Sequence, residues 1–390
     1  MSNSQVRDDT LSGGDRIFIE CAKRWAERGH NVQVITCEEG YRMYKKHGLK
    51  TVDYILLLPD LRRMNLYLLY ILRLIKGCVL ALRASLNVGN TVIYSSSDFW
   101  PDSIPAWFLK MRFKKTRWIA GFYLFAPSPF SKESPYKGKR LLRGLLYYLS
   151  QIPVYWLIKK YADMVWVTNE LDRWRFIDNK RLTSDRVIAV RGGVDTKTPA
   201  LIPEPEKKGF DAVFIGRFHP QKGVLELMDI WRYVCERKKD AKLAMIGVGE
   251  LEGEVKAKIK KYGLENSVVL FGFKDGIEKL KIFKDSKVVV HPATYDSGGM
   301  AACEAMACGL PGVSFDLPAL RTYYPKGMLK TPCYDLKAFA ENILRLLDNK
   351  ELYKRLQKEA LKLAQEWDWD KRAEELLKMV TSLIKNGQYQ

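Results

Sequence analysis

The stretch covering residues 288–314, VVVHPATYDSGGMAACEAMACGLPGVS, leaves few folds open to this chain. It starts as a β-branched run, passes through a loop over residues 293–298, and continues as a helix of small and apolar residues that Gly309 and Pro311 stop. The next apolar run, residues 312–315, reads as a second buried strand, so the helix lies between two sheet strands and packs on them. That helix holds one carboxylate, Glu304. Burying an unpaired carboxylate is costly, so an acid embedded in such a run has a fixed partner or a ligand. Asp296 stands just before the glycines, Gly298 and Gly299, that open the helix. Free backbone N–H groups and the positive end of the helix dipole make that opening suit a phosphate. Two acids able to accept from sugar hydroxyls, flanking a phosphate-sized nest, point to a sugar-phosphate site.

The 390 residues exceed one ordinary core and imply two domains. Residues 12–37 read as a glycine turn, an amphipathic helix with Ile17, Ile19, Cys21, Ala22 and Trp25 on its apolar side, a stop at Gly29, and a strand over 32–36. Such a unit is one turn of a doubly wound sheet. The strand that should feed that turn is missing, because MSNSQVRDDT is too polar to be a buried parallel strand. Either the chain is shortened at its start, the reading preferred here, or the domain lacks its first strand. Residues 64–82 form the most apolar stretch, but Arg73 and Lys76 would each cost about 2.5–3.5 kcal/mol at the centre of a membrane helix. The expectation is a helix on the sheet or in a membrane interface. A strand at 91–95, a loop at 96–105, a helix at 154–161 and strands at 164–168 and 187–190 follow, then a proline-rich linker at 197–208. Beyond it, strands at 211–215, 242–246, 268–271 and 287–291 alternate with helices at 224–236, 252–262 and 277–283. Helices at 336–347, 351–366 and 370–385 complete an α/β chain of two doubly wound, Rossmann-like domains. Asp368 and Asp370 stand at the start of the last helix and read as caps rather than metal ligands.

Seven scattered cysteines without a CxxC pair argue against a disulfide framework or structural zinc and for a reducing compartment. No signal peptide is visible at the polar start. The net charge of +20 is concentrated in residues 1–200, where 33 Lys and Arg face 18 Asp and Glu. Over 104–160 there are 12 basic residues, 13 aromatics and one acid, Glu133. Bases beside aromatics and long aliphatics fit an anionic bilayer surface better than a nucleic-acid groove, and no RNA-binding signature occurs. A solvated basic face above an ordinary core is the plainer alternative.

In AVFIGRFHPQKGVLEL, Arg217 and Lys222 lie in a strand-to-helix turn, well placed to hold a diphosphate. With Asp296, Gly298, Gly299 and Glu304 they form the equipment for transferring a sugar from a nucleotide. The chain here resembles the nucleotide-sugar glycosyltransferases of family 4, two-domain enzymes of the GT-B fold. A GR-x4-KG turn is matched by Gly216, Arg217, Lys222 and Gly223. An E-x7-E element followed by A-M-A-x-G-x-P is matched by Asp296, Glu304, Ala305, Met306, Ala307, Gly309 and Pro311. VRGGVD at 190–195 is similar to the family's N-G-V-D, and Gly13 and Gly14 look like its acceptor-side glycine loop.

The resemblance implies an acceptor-side domain over 1–200, a donor-binding domain over 201–366 and a terminal helix, 367–390, crossing back to the first domain. It implies that Glu304 accepts from the nucleotide ribose, that Asp296 meets the donor sugar, and that the N–H groups of Gly298, Gly299 and Met300 cradle phosphates opposite Arg217 and Lys222. Gly247 and Gly249 would line the base and ribose pocket. Transfer would retain anomeric configuration, with no metal or other cofactor beyond the nucleotide sugar; the basic aromatic surface of the first domain, rather than the resemblance, adds the expectation of a glycan or lipid-linked acceptor at the cytoplasmic face of the membrane. Two departures stand out. The first acid is Asp296, one methylene shorter than Glu, and no histidine follows the strand at 118–123, where Tyr123 is the substitute polar contact. A non-catalytic nucleotide-sugar or polyanion-binding protein and a sugar-nucleotide epimerase share this architecture; the acid spacing argues against the epimerase.

Overall fold

The computed structural model describes every residue except 3–10, 62, 89, 132–133, 179, 297 and 389–390. It comprises two compact units, one of Met1–Ala126, Leu142–Gly192 and Trp369–Gln390, the other of Pro127–Leu141 and Gly193–Asp368.

In the first unit the elements run α1 (Gly13–Glu27), β1 (Gln33–Thr36), α2 (Glu38–Lys46), β2 (Asp53–Leu56), α3 (Leu66–Arg83), β3 (Val92–Ser95), α4 (Trp100–Arg112), β4 (Arg117–Gly121), α5 (Leu141–Tyr161), β5 (Met164–Val167), α6 (Glu170–Phe176) and β6 (Val187–Ala189). β1 pairs with β2, and β3, β4, β5 and β6 form a second sheet in that order; all pairs are parallel. Helix α1 starts at a capping box in which Ser12 and Asp15 bond reciprocally. Met1 and Ser2 bridge the two sheets. The Ser2 N–H donates to the Ile35 carbonyl and the Ser96 N–H to the Met1 carbonyl, both at 3.0 Å. Two residues thus occupy the place expected for a central strand; the remainder of the polar start, residues 3–10, lies outside the described residues.

Two sequence expectations change, those for α4 and α5. Helix α4 begins at Trp100, inside the segment read as a loop, because Pro101 falls in the first turn, where a helix N–H has no partner to lose. Helix α5 extends far upstream of residue 154, through LLRGLLYYLS, and carries Pro153 within it. Helix α3 buries Leu69, Arg73, Gly77 and Ala81, a row at i, i+4 spacing, while Ile71, Ile75 and Leu82 are exposed. Arg73 faces inward to Glu39 of α2, with Nη2 to Oε2 at 3.0 Å and both side chains 1% exposed. A Cβ on Gly77 would come within 2.7 Å of the Pro105 ring, so α3 and α4 pack closely at that point. Among the described residues no helix is long and apolar enough to cross a membrane.

The second unit runs β7 (Phe210–Ile215), α7 (Val224–Arg237), β8 (Leu243–Ile246), α8 (Glu252–Lys261), β9 (Val268–Gly272), α9 (Gly276–Lys284), β10 (Ser286–His291), α10 (Met300–Ala307), β11 (Gly312–Phe315), α11 (Pro318–Tyr323), β12 (Met328–Thr331), α12 (Leu336–Asp348) and α13 (Lys350–Glu366). Its six strands are parallel in the order β12-β11-β10-β7-β8-β9. Apolar clusters cover the sheet, one including Trp231 and Phe339 and the other Met306 and Trp367. Residues 127–141 cluster with this unit because Arg140 reaches Glu250 at 3.3 Å and Glu254 at 3.5 Å, and Tyr136 packs edgewise on His219. The last helix, α14 (Trp369–Gln388), belongs to the first unit, where Asp370 pairs with Arg24 at 2.6 Å and the Trp25 indole N–H donates to the Ala373 carbonyl.

Candidate active site

In the second sheet the chain proceeds outward from β7 through β8 and β9, then returns to β10 on the other side of β7 and proceeds through β11 and β12. At such a switch point the loops leaving two adjacent strands diverge and open a crevice at their carboxyl ends. The loop after β7 contains Arg217 and Lys222, and the loop after β10 contains Asp296. A backbone bond from the Thr294 N–H to the Gln221 carbonyl, 3.0 Å, ties the two loops together.

Asp296 is the centre of this junction. Its Oδ2 lies 2.5 Å from Lys222 Nζ and 3.4 Å from His291 Nε2, and its Oδ1 accepts from the Gly298 N–H at 3.3 Å. Burial alone would raise the Asp296 pKa, but Lys222 and His291 outweigh it and hold the carboxyl well below the usual carboxylate range. His291 has its own pKa lowered by burial, an effect Asp296 partly opposes. The sequence placed His291 at a strand end without a role; the structure makes it the floor of the glycine opening. A Cβ on Gly299 would stand 2.7 Å from His291 Nε2, and Gly299 has φ +88°, so both space and backbone conformation call for glycine there. Beside it, a Cβ on Gly298 would run into the Tyr323 ring, while the Tyr324 hydroxyl donates to the Gly299 carbonyl.

Helix α10 begins at Met300 and buries Ala302, Cys303, Ala305 and Met306. Glu304 is left on its opposite side, where Oε2 meets Lys279 Nζ at 2.9 Å. Lys279, in α9, also reaches Asp275 Oδ1 at 2.8 Å and is itself buried. The partner demanded by an acid in a small-residue helix is therefore Lys279, which no motif announced. Arg217 is exposed at the turn. Next to it His219 is held neutral, its pKa lowered to about 4 by burial and then by Arg217.

The glycines expected in the site divide between the units. Gly247 and Gly249 pack on the β7 turn, where a Cβ would meet the Gly216 carbonyl oxygen or the Phe218 backbone, so they hold two loops together. Gly13 and Gly14 open α1 in the first unit, and a Cβ on Gly14 would come within 2.7 Å of the Tyr123 ring. The Tyr123 hydroxyl is 2.5 Å from that of Tyr94. Among the described residues no cluster of three or more His, Cys, Asp or Glu could hold a metal ion.

Residues 201–363 match the family described as glycosyl transferases group 1. Over nearly its full length the chain superposes on HepE of Anabaena solved with UDP and glucose, with a TM-score of 0.71, 14% identity, and 96% of this chain and 98% of that one covered. The fold is GT-B. The sucrose-phosphate synthase of Thermosynechococcus elongatus shares it, with a TM-score of 0.71, 19% identity, and 99% and 98% of the two chains covered. Among curated relatives, a phosphatidyl-myo-inositol mannosyltransferase of Mycobacterium leprae is 27% identical over 59% of this chain and 61% of its own length. An uncharacterized glycosyltransferase of Methanocaldococcus jannaschii is 36% identical over 26% of each chain. These matches span between about a quarter and three fifths of the relatives' lengths.

Proposed function

We propose that this GT-B chain is a retaining glycosyltransferase that moves a sugar from a nucleotide diphosphate to a hydroxyl of a glycan or lipid-linked acceptor. The observation that carries this reading is the convergence of Lys222, Asp296 and the glycine opening of α10 at the β7/β10 switch point, with Arg217 at its edge. In the reaction the bond between the anomeric carbon and the phosphate oxygen breaks, and the acceptor oxygen bonds to that carbon. The acceptor proton passes to the leaving phosphate, so no protein nucleophile is required. Arg217 and Lys222 offset the charge that grows on the diphosphate, Glu304 accepts from the ribose, and Asp296 faces the donor sugar. Gly299 and Met300 present backbone N–H groups at the phosphate end, the Gly298 N–H donating instead to Asp296, and Gly247 and Gly249 shape the wall beside Gly216. The basic first unit supports a place for the enzyme at the inner, anionic face of a membrane.

The test is incubation of the protein with a panel of radiolabelled nucleotide sugars and membrane extract, followed by NMR of the anomeric proton in the product. Transfer with the donor's anomeric configuration is expected. Release of an isomerised nucleotide sugar without acceptor would point to an epimerase instead.

The Lys279 contact carries its own prediction. Lys279→Met is expected to weaken nucleoside diphosphate binding about tenfold, because Glu304 loses the ion that fixes its orientation, with Lys279→Arg recovering most of it. Calorimetry with ribo- and 2′-deoxyribonucleoside diphosphates checks this. The preference for the ribonucleotide should shrink in Lys279→Met, whereas a general loss of folding would weaken both ligands alike.

A further inference from the structure

Helix α3 and the first half of α5 are built inside out, whereas the second half of α5 buries Val154 and Ile158 in the ordinary way. The inward row of α3 is Leu69, Arg73, Gly77 and Ala81, small or charged apart from one leucine, while Tyr67, Ile71, Ile75 and Leu82 are each more than half exposed. In α5 the first half buries Gly144 and Gln151 and turns Leu142, Leu146 and Leu149 outward, with Trp156 61% exposed further along. A helix that only covered its own sheet would show the reverse pattern. The two outward faces meet at Phe99. Its ring is 6.5 Å from Tyr70 of α3 and 6.3 Å from Tyr147 of α5, and it is 40% exposed. The Tyr70 hydroxyl accepts from the Trp100 N–H, and the Trp100 indole donates to the Ser150 carbonyl of α5, both at 2.8 Å, which fixes the junction.

Neither helix contains an acidic residue, and Lys76, Arg83, Arg143 and Lys160 are exposed on them. From this we infer that the joint outer face of α3 and α5 lies flat in the interfacial layer of an anionic bilayer, with its leucine, isoleucine and tryptophan side chains among the acyl chains and its lysines and arginines at the lipid phosphates. A second copy of this chain is a poor occupant, because it would bring one acid-free basic face against another. Apolar residues along an 18-residue helix, with cations beside them and no membrane-crossing segment among the described residues, fit a helix lying in the membrane plane. The inference rests on the proposal of a membrane-surface enzyme and adds the face that makes the contact. Arg73, which argued in the sequence against a spanning helix, acts here by anchoring the inner row of α3 to Glu39, which turns its apolar row outward.

The experiment is co-sedimentation with phosphatidylglycerol and phosphatidylcholine vesicles of the wild type, of Ile71→Glu/Ile75→Glu, of Leu146→Glu, and of Leu201→Glu. Leu201 is 83% exposed in the second unit and serves as the control. The wild type and the control are expected to bind phosphatidylglycerol, more weakly as salt rises, and to ignore phosphatidylcholine. Both the α3 and the α5 variants should bind about tenfold or more weakly, with circular dichroism unchanged. Wild-type binding that the α3 and α5 variants retain would overturn the assigned face and leave the membrane reading standing. Failure of the wild type to bind either lipid would overturn both. A wild-type dimer in lipid-free solution that the same substitutions dissociate would give the face to a second copy.

Discussion

Lys222→Met is expected to abolish measurable donor binding and to lower the stability of the second unit by about 3 kcal/mol, roughly 6–12 °C in its unfolding midpoint. The stability loss comes from Asp296, whose side chain is only 11% exposed and whose nearest cation at 2.5 Å would be gone. The functional loss comes from the same atom, because Lys222 Nζ is the charge that joins the β7 loop to the acid of the β10 loop at the point where the diphosphate would sit. The pH dependence has a definite sign. The Asp296 pKa is depressed in the folded protein, so its stabilisation is fully present above the unfolded carboxyl value, about 3.9, and is lost as pH falls toward the folded value. The gap between wild type and variant should therefore be widest near neutral pH and should narrow below about pH 4. Differential scanning calorimetry across that range checks it, and a gap independent of pH would mean that Lys222 stabilises the unit by some other route.

Arg73→Met is expected to destabilise the first unit by about 3–5 kcal/mol, because Glu39 would remain as a buried carboxylate without its cation. Replacing both partners, Arg73→Met with Glu39→Leu, should recover much of the loss, since two apolar side chains in that space leave no charge to compensate. Recovery should fall short of complete, because Glu39 Oε1 also accepts from the Leu61 N–H at 3.2 Å. Chemical denaturation of the three proteins measures this directly. A double variant as unstable as the single one would show that packing around Arg73, rather than its charge, holds α3 in place.

These two pairs also mark how far the sequence could be read. The alternation of β-branched runs with helices was legible, and so was the approach of Lys222 to Asp296, because each stands in the turn that leaves a strand of the second sheet. Partners set by tertiary packing were not legible. Lys279 sits in α9, a helix full of lysines, and nothing local distinguishes the one that turns toward Glu304. His291 reads as the end of a strand until the glycine opening is folded back over it. Helix α3 has apolar residues around most of its circumference, so periodicity could not say which face is inward; Arg73 decides it only once Glu39 is known to lie beneath. The start of α4 was hidden by Pro101 and Pro105, which resemble loop residues although the first-turn position tolerates one and the contact with Gly77 of α3 accommodates the other.

The most direct test of the donor site is calorimetric titration of the full chain with uridine, guanosine and adenosine diphosphate sugars, in parallel with Glu304→Ala. At least one donor should bind the wild type with one-to-one stoichiometry and bind the variant about tenfold or more weakly, since the ribose would lose a charged hydrogen-bond acceptor. Binding of no donor by a folded wild type, or equal binding by Glu304→Ala, would contradict the assignment of the β7/β10 crevice as a nucleotide-sugar site.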